Sequence, residues 1–381
     1  MHMITPTLLL ATALAAPSHV SDREVPDDLT ATIERATAVL LERQEDMSSK
    51  DTDEKLEWPY EGVYRVGGKI PIGYRVGGTA ISAWALVESP QYKKSAEVRA
   101  AVERALGFVL EGLDEDLMAS GFKGGYDVRG WGHTYALNLM LRMRAHEVVP
   151  KKHKKAVDKS ITWLVKTLEE TEIPQIGGWN YSRRAGFGKP TPASPFMTAP
   201  TLLALYEAKK QGEKFDPEIV ERALASLDAC RTDEGAYPYT TRAGRDEMPG
   251  AIGRTPATEV ALALAGKGDA KRLKHSLDSF FEHWNELEVR RQKTGTHIAP
   301  YGVAPYYFYY AHYYAALAIE FLPEDDQPKY RARYYEKLFE TQEESGGWND
   351  RVFDRSENYG TAMSLLSLLA MDSGKPTAWK E

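Results

Sequence analysis

A glycine–aromatic signature recurs along this chain, roughly every 50–60 residues, the spacing of stacked supersecondary units. It reads Gly124-Gly125-Tyr126, Gly177-Gly178-Trp179 and Gly346-Gly347-Trp348. Weaker copies stand at Gly77-Gly78, Gly235-Ala236-Tyr237 and Tyr301-Gly302. An amphipathic helix pattern precedes each copy, and a loop and a nearly all-apolar helix pattern follow it. A unit of this kind cannot bury its apolar face alone, so the period predicts stacked helical hairpins.

The two helices of a hairpin differ in pattern. Val102, Ala105, Leu106, Val109, Leu110 and Leu113 fall on one helical face, as do Ile161, Leu164, Val165 and Leu168. These first helices keep a polar side and belong in an outer ring. The second helices, within 80–86, 134–141, 198–206, 258–265, 311–319 and 361–370, are apolar almost all round. A helix without a polar face is buried. Six outer and six inner helices in alternation predict an all-α, six-hairpin α/α toroid, with 17–381 as one domain. Each inner helix begins after a long Gly/Pro/aromatic loop, so six such loops meet at one end of the ring. Glycine there permits positive φ where an outer helix ends, and the aromatic that follows fills the gap between hairpins.

The segment Gln342-Glu343-Glu344-Ser345-Gly346-Gly347-Trp348, with the shorter Gln175-Ile176-Gly177-Gly178-Trp179, resembles the glutamine–tryptophan repeat of squalene–hopene cyclases. Inner helices starting at Thr79-Ala80, Thr198-Ala199 and Thr361-Ala362 resemble the wider terpenoid cyclase and protein prenyltransferase superfamily of α/α toroids. That resemblance covers nearly the whole chain after residue 16. It implies an Asp-x-Asp-Asp acid motif for the cyclases, but the local match is Glu357-Asn358-Tyr359-Gly360-Thr361-Ala362, which keeps only the first acid. Leu113-Asp114-Glu115-Asp116 sits where an outer helix ends and reads as a solvated terminus. The prenyltransferase zinc set of Asp, Cys and His has no counterpart, since Cys230 falls on an outer helix.

Composition narrows the function classes. A net charge of -7 with no basic, aromatic-interleaved stripe argues against nucleic-acid binding. Residues 4–16 are apolar, too short to span a bilayer, and end near Ala13-Leu14-Ala15, which predicts a signal peptide over 1–16 and export to the periplasm or outside the cell. No other segment is long and apolar enough to cross a membrane. The single cysteine rules out an intrachain disulfide, and no metal or other cofactor is expected.

The loops at the inner-helix starts carry the candidate site. They favour arginine, whose planar fork suits carboxylate, phosphate or sulfate, and they intersperse aromatic rings. Candidate ligand-binding residues are Arg75, Arg129, Trp131, Tyr181, Arg183, Arg254, Tyr301, His312, Arg355 and Tyr359. Candidate catalytic residues are His133 as a base or acid near neutral pH, Tyr135 as its proton partner, and Glu357 as a carboxylate. Pairing of the arginines with loop aspartates is the structural alternative. The expectation is a toroid that binds an anionic small molecule or glycan in an Arg/Tyr-lined central pocket, without the cyclase acid motif or zinc site. A lyase or hydrolase acting on an acidic glycan, and an atypical terpenoid cyclase-like enzyme, stand beside it.

Overall fold

The computed structural model describes residues 25–26, 28–47, 56–122, 128–181, 188–241, 247–295, 299–302 and 307–380. The leader expected at 1–16 and the glycine copy at 124–126 lie outside them. Among the described residues, twelve helices build the ring. The outer ones are α1 (Thr30–Glu42), α3 (Ala96–Leu113), α5 (Lys154–Thr171), α7 (Glu218–Ala229), α9 (Ala270–Glu282) and α11 (Gln327–Glu340). The inner ones are α2 (Ile72–Glu88), α4 (Arg129–Ala145), α6 (Pro195–Lys210), α8 (Thr255–Leu264), α10 (Phe308–Ile319) and α12 (Glu357–Ser373). Each inner helix packs on the next in chain order, and α12 returns to α2. The inner ring is therefore closed, and the expected α/α toroid is the observed fold.

Local chemistry sets the helix ends. Ser95 caps α3 by accepting from the Val98 N–H, and Asp269 caps α9 by accepting from the Arg272 N–H. Pro195 and Pro256 open α6 and α8, where a missing N–H costs nothing. The acids Asp114, Glu115 and Asp116 are exposed after α3, as expected of a solvated helix end.

One arrangement of bonds recurs where an outer helix hands over to an inner one. The indole N–H of Trp58 donates to the Leu40 carbonyl, that of Trp179 to Leu168, and that of Trp348 to Leu338. Each acceptor lies in the last turn of its outer helix, where carbonyls lack full intrahelical pairing. The backbone N–H of each tryptophan donates to a threonine of the following inner helix: Thr198 and Thr361 near the helix start, and Thr79 in the middle of α2, which begins at Ile72 rather than at the expected Thr79-Ala80. The tryptophan thus ties both helices of a hairpin together. The first hairpin does this without a glycine pair. Gly77-Gly78, expected to be a turn copy, lies inside α2 instead. There any side chain on Gly77 would overlap the Trp131 ring, and one on Gly78 would meet the Trp58 carbonyl oxygen.

Glycine is required for another reason at Gly177, whose φ is 83° and whose added Cβ would collide with the Arg222 backbone. Gly177→Ala combines a left-handed backbone with a backbone clash, so it is expected to cost about 2 kcal/mol or more. Urea unfolding of the variant against the unsubstituted protein measures this.

Candidate functional site

Residues two places beyond each fastener turn back toward the ring axis. Tyr60 and Tyr181 stand two after Trp58 and Trp179, and with Tyr74, Trp131, Phe196 and Tyr359 they line a small cavity at the inner-helix N-termini. The rings touch edge to face or tilted: Tyr60 to Tyr359 at 4.7 Å, Tyr60 to Tyr74 at 5.2 Å and Tyr74 to Trp131 at 5.4 Å between centroids. Tyr135 packs on Trp131 at 5.2 Å, and Phe196 contacts Tyr310 at 4.4 Å and Tyr307 at 4.5 Å. Such contacts fix ring positions beyond their share of burial. The upper centre of the toroid is thus an aromatic basin.

Two charged residues stand beside it. Asp350, two places after Trp348, is fully buried; its Oδ2 accepts from the Tyr60 hydroxyl at 3.0 Å and its Oδ1 from the Tyr309 N–H at 3.2 Å. Burial pushes its pKa up to about 7, against the opposing pull of the Tyr309 N–H, the Arg351 charge and Tyr60. Arg351 is 2% exposed. Its Nη2 donates to the Lys293 and Thr294 carbonyls at 3.0 Å each, while among the described residues its Nε and Nη1 have no partner. A buried donor without a partner costs about 1–3 kcal/mol, more when charged. The Arg351 charge lies near enough to Tyr60 and Tyr74 to oppose the upward shift that burial gives both phenols.

The residues expected at the site divide sharply. Trp131, Tyr135, Tyr181 and Tyr359 belong to the basin. The two histidines do not. His133 points outward between the rings: its Nε2 meets the Met118 carbonyl at 2.7 Å and its ring stands edge-on to Trp163 of α5. His312 bonds the Phe308 carbonyl through Nδ1 and accepts from the Trp284 indole through Nε2, with Phe280 and Tyr334 around it. Burial lowers their pKa values to about 4 and about 3, so both are neutral at pH 7. Both lie on inner helices buried on every side, where an apolar pattern gives no sign of which face looks at the axis.

Glu357 also faces outward, paired with Arg43 and accepting from the Ser345 hydroxyl. Most of the expected arginines hold loops together. Arg75 pairs with the buried Glu57. Arg129 donates to the Ala119 and Phe122 carbonyls at 2.8 Å each. Arg254 donates to the Tyr237 carbonyl and lies 5.5 Å from the Tyr307 ring centroid. Arg355 binds Glu45 at 2.7 Å and 2.9 Å. Tyr301 is half-buried, with its carbonyl beside Gly250. Arg183 lies outside the described residues. His133, Tyr135, Arg129, Arg254 and Glu357 therefore do not share one polar cavity.

Tyr60, Tyr74, Asp350 and Arg351 fall in the segments that the sequence places at the inner-helix starts, but their meeting, and the part of Phe196, emerge only in three dimensions. A signal for two of them lies in the sequence: the second position after Trp58 and Trp348 holds Tyr60 and Asp350. Cys230 is half-buried, its Sγ near the Leu227 carbonyl, and burial pushes the thiol up to about 12. Among the described residues no group of three His, Cys, Asp or Glu side chains could hold a metal ion, and no helix is long and apolar enough to cross a membrane.

No family model and no curated protein matches the sequence. Solved structures do match in fold. A type II terpene cyclase from Scytonema is 14% identical, with 90% of this chain and 96% of that chain covered at a TM-score of 0.52. An α-1,6-mannanase from Salegentibacter sp. is 11% identical, with 91% and 99% covered at 0.56. An unsaturated glucuronyl hydrolase from Streptococcus agalactiae is 11% identical, with 93% and 98% covered at 0.57. At such identities the likeness establishes the α/α-toroid fold alone, one that serves both terpene and glycan chemistry.

Proposed function

We propose that this toroid binds an acidic sugar unit, or a small molecule of similar shape, in the aromatic basin at the inner-helix N-termini. The observation that carries the reading is a ring-lined cavity with the buried Arg351 close to two of its lining phenols, Tyr60 and Tyr74; among the described residues two donors of that cation have no hydrogen-bond partner. Sugar rings stack on aromatic faces, and a guanidinium fork suits a carboxylate. The N-termini of six inner helices lend further partial positive charge to the same end. The space between these rings is small, which disfavours an extended isoprenoid and sets the cyclase-like alternative behind the glycan reading. Glucuronate and its neutral counterpart, glucose, are the test ligands. Arg351→Gln is expected to weaken glucuronate binding about 10-fold or more, the weight of a charge-assisted hydrogen bond, while leaving glucose unchanged. Isothermal titration measures both; equal binding of the two sugars by the unsubstituted protein would sink the anionic preference.

A catalytic reading is favoured by one further observation. Asp350, with its pKa pushed to about 7, is poised to hold or release a proton near neutrality and touches the basin through the Tyr60 hydroxyl. Incubation with uronate polymers, followed by absorbance near the ultraviolet edge, tests for lyase action. New absorbance that disappears in Asp350→Asn supports catalysis; a silent assay with intact binding leaves a binding protein.

A further inference from the structure

A larger cavity lies at the opposite end of the ring, where the inner helices finish. It is open to solvent on one side, and α2, α4, α6, α10 and α12 supply its walls. Deep in it are Tyr313, Tyr314, Leu203, Leu317 and Leu366. At the rim stand Trp84, Glu88, Arg142 and Glu207, with chain segment 374–377 forming one side. That segment is anchored: Thr377 donates to Glu207, and Trp379 donates its backbone N–H to the Leu264 carbonyl and its indole N–H to Glu221. The cavity wall is thus a fixed part of the fold.

We propose that this lower cavity binds an organic cation, an ammonium group carried on an apolar body. Three observations converge on that chemistry. First, the C-terminal ends of the inner helices meet here, and each contributes partial negative charge. Second, one rim carboxylate forms no salt bridge among the described residues. Arg142 is held by Glu88 at 3.0 Å through Nη2, with His146 on the same carboxylate, and Lys375 turns its ammonium to the Phe321 ring at 4.9 Å. Glu207 accepts hydrogen bonds from the neutral groups Gln211 and Thr377, and among the described residues no lysine or arginine forms a salt bridge with it, although the Arg142 charge lies near enough to interact with it. Third, Trp84 and Tyr313 stand edge to face at 5.6 Å, with Tyr314 deeper in the cavity, and aromatic faces attract cations. The apolar floor accepts the body of the ligand and the rim its charge. This site is separate from the basin, and neither needs the other.

Isothermal titration with benzyltrimethylammonium, and with benzenesulfonate as the anion of similar size, tests the inference. The cation is expected to bind at least about 10-fold more tightly, the ratio set by one carboxylate without a salt bridge and its aromatic neighbours. Glu207→Gln keeps an acceptor for Thr377 while removing the charge, and is expected to weaken cation binding about 5-fold or more with the thermal midpoint unchanged. Leu366→Trp fills the cavity floor and is expected to abolish binding, whereas Arg351→Gln at the other end leaves it intact. No binding of the cation, equal binding of the anion, or a Glu207→Gln variant that binds as before would each overturn the proposal. Circular dichroism of every variant separates lost binding from lost folding.

Discussion

Replacing Trp348 by alanine lowers the unfolding free energy by about 4 kcal/mol, the cost of emptying a fully packed indole site. Trp348 is fully buried against Phe339, and its two N–H groups are both spent on the fastener, one on the Leu338 carbonyl and one on Thr361. The loss therefore combines a cavity with the missing indole hydrogen bond at the junction of α11 and α12, since alanine keeps the backbone N–H that donates to Thr361. Trp58 and Trp179 make the same bonds and should cost a similar amount, which urea unfolding of the three variants measures. Trp348→Phe separates the parts: it refills most of the volume and forfeits only the indole bond, so about 1–2 kcal/mol of the loss remains. Equal losses for Phe and Ala would show that packing alone does not explain the site.

Acidification is expected to destabilise the fold between pH 6.5 and 4, and the two buried histidines drive it. Their pKa values of about 4 and about 3 lie below the usual 6.5, so the unfolded chain takes up protons that the folded chain refuses. The stability they contribute is fully present above pH 6.5 and is lost as pH falls through that window. The full shift is worth about 3 kcal/mol for His133 and rather more for His312. Asp350 acts in the opposite sense. Its pKa of about 7 exceeds the unfolded value of 3.8, so its contribution is present at low pH and lost as pH rises toward 7. Two histidines outweigh one aspartate, so the net trend is loss toward acid. His312→Gln removes about one proton from the uptake, flattening stability against pH by about 1.4 kcal/mol per unit. Unfolding curves at pH 7, 6 and 5 check this, and an unchanged slope in the variant would mean that His312 is not buried in its neutral form.

The ring was legible in the sequence because it rests on periodicity. The stripe from Val102 to Leu113 became α3, and the threonines at 198 and 361 stand near inner-helix starts, whereas Thr79 lies in the middle of α2; each accepts a tryptophan N–H. The site was less legible, for reasons that particular residues make plain. Arg355 ends on Glu45, 310 positions away, and no local pattern announces such a partner. His133 and His312 sit where the sequence placed them along their helices but on the outward side. Glu259 shows the converse: an acid in a helix read as apolar, buried at 1% exposure and held by Arg231 and Arg272. Gly77-Gly78 resembles the turn signature in letters alone, since its glycines serve close packing within α2.

The most direct test of the central claim is a crystal structure of the protein with glucuronate bound. The account predicts the sugar ring within the basin, against Trp131 and Tyr359, with its carboxylate within hydrogen-bonding distance of Arg351 Nε or Nη1. Arg75 and Arg355 should remain on Glu57 and Glu45. A ligand found elsewhere on the ring, or one held by Arg75 or Arg355 released from those carboxylates, would contradict it.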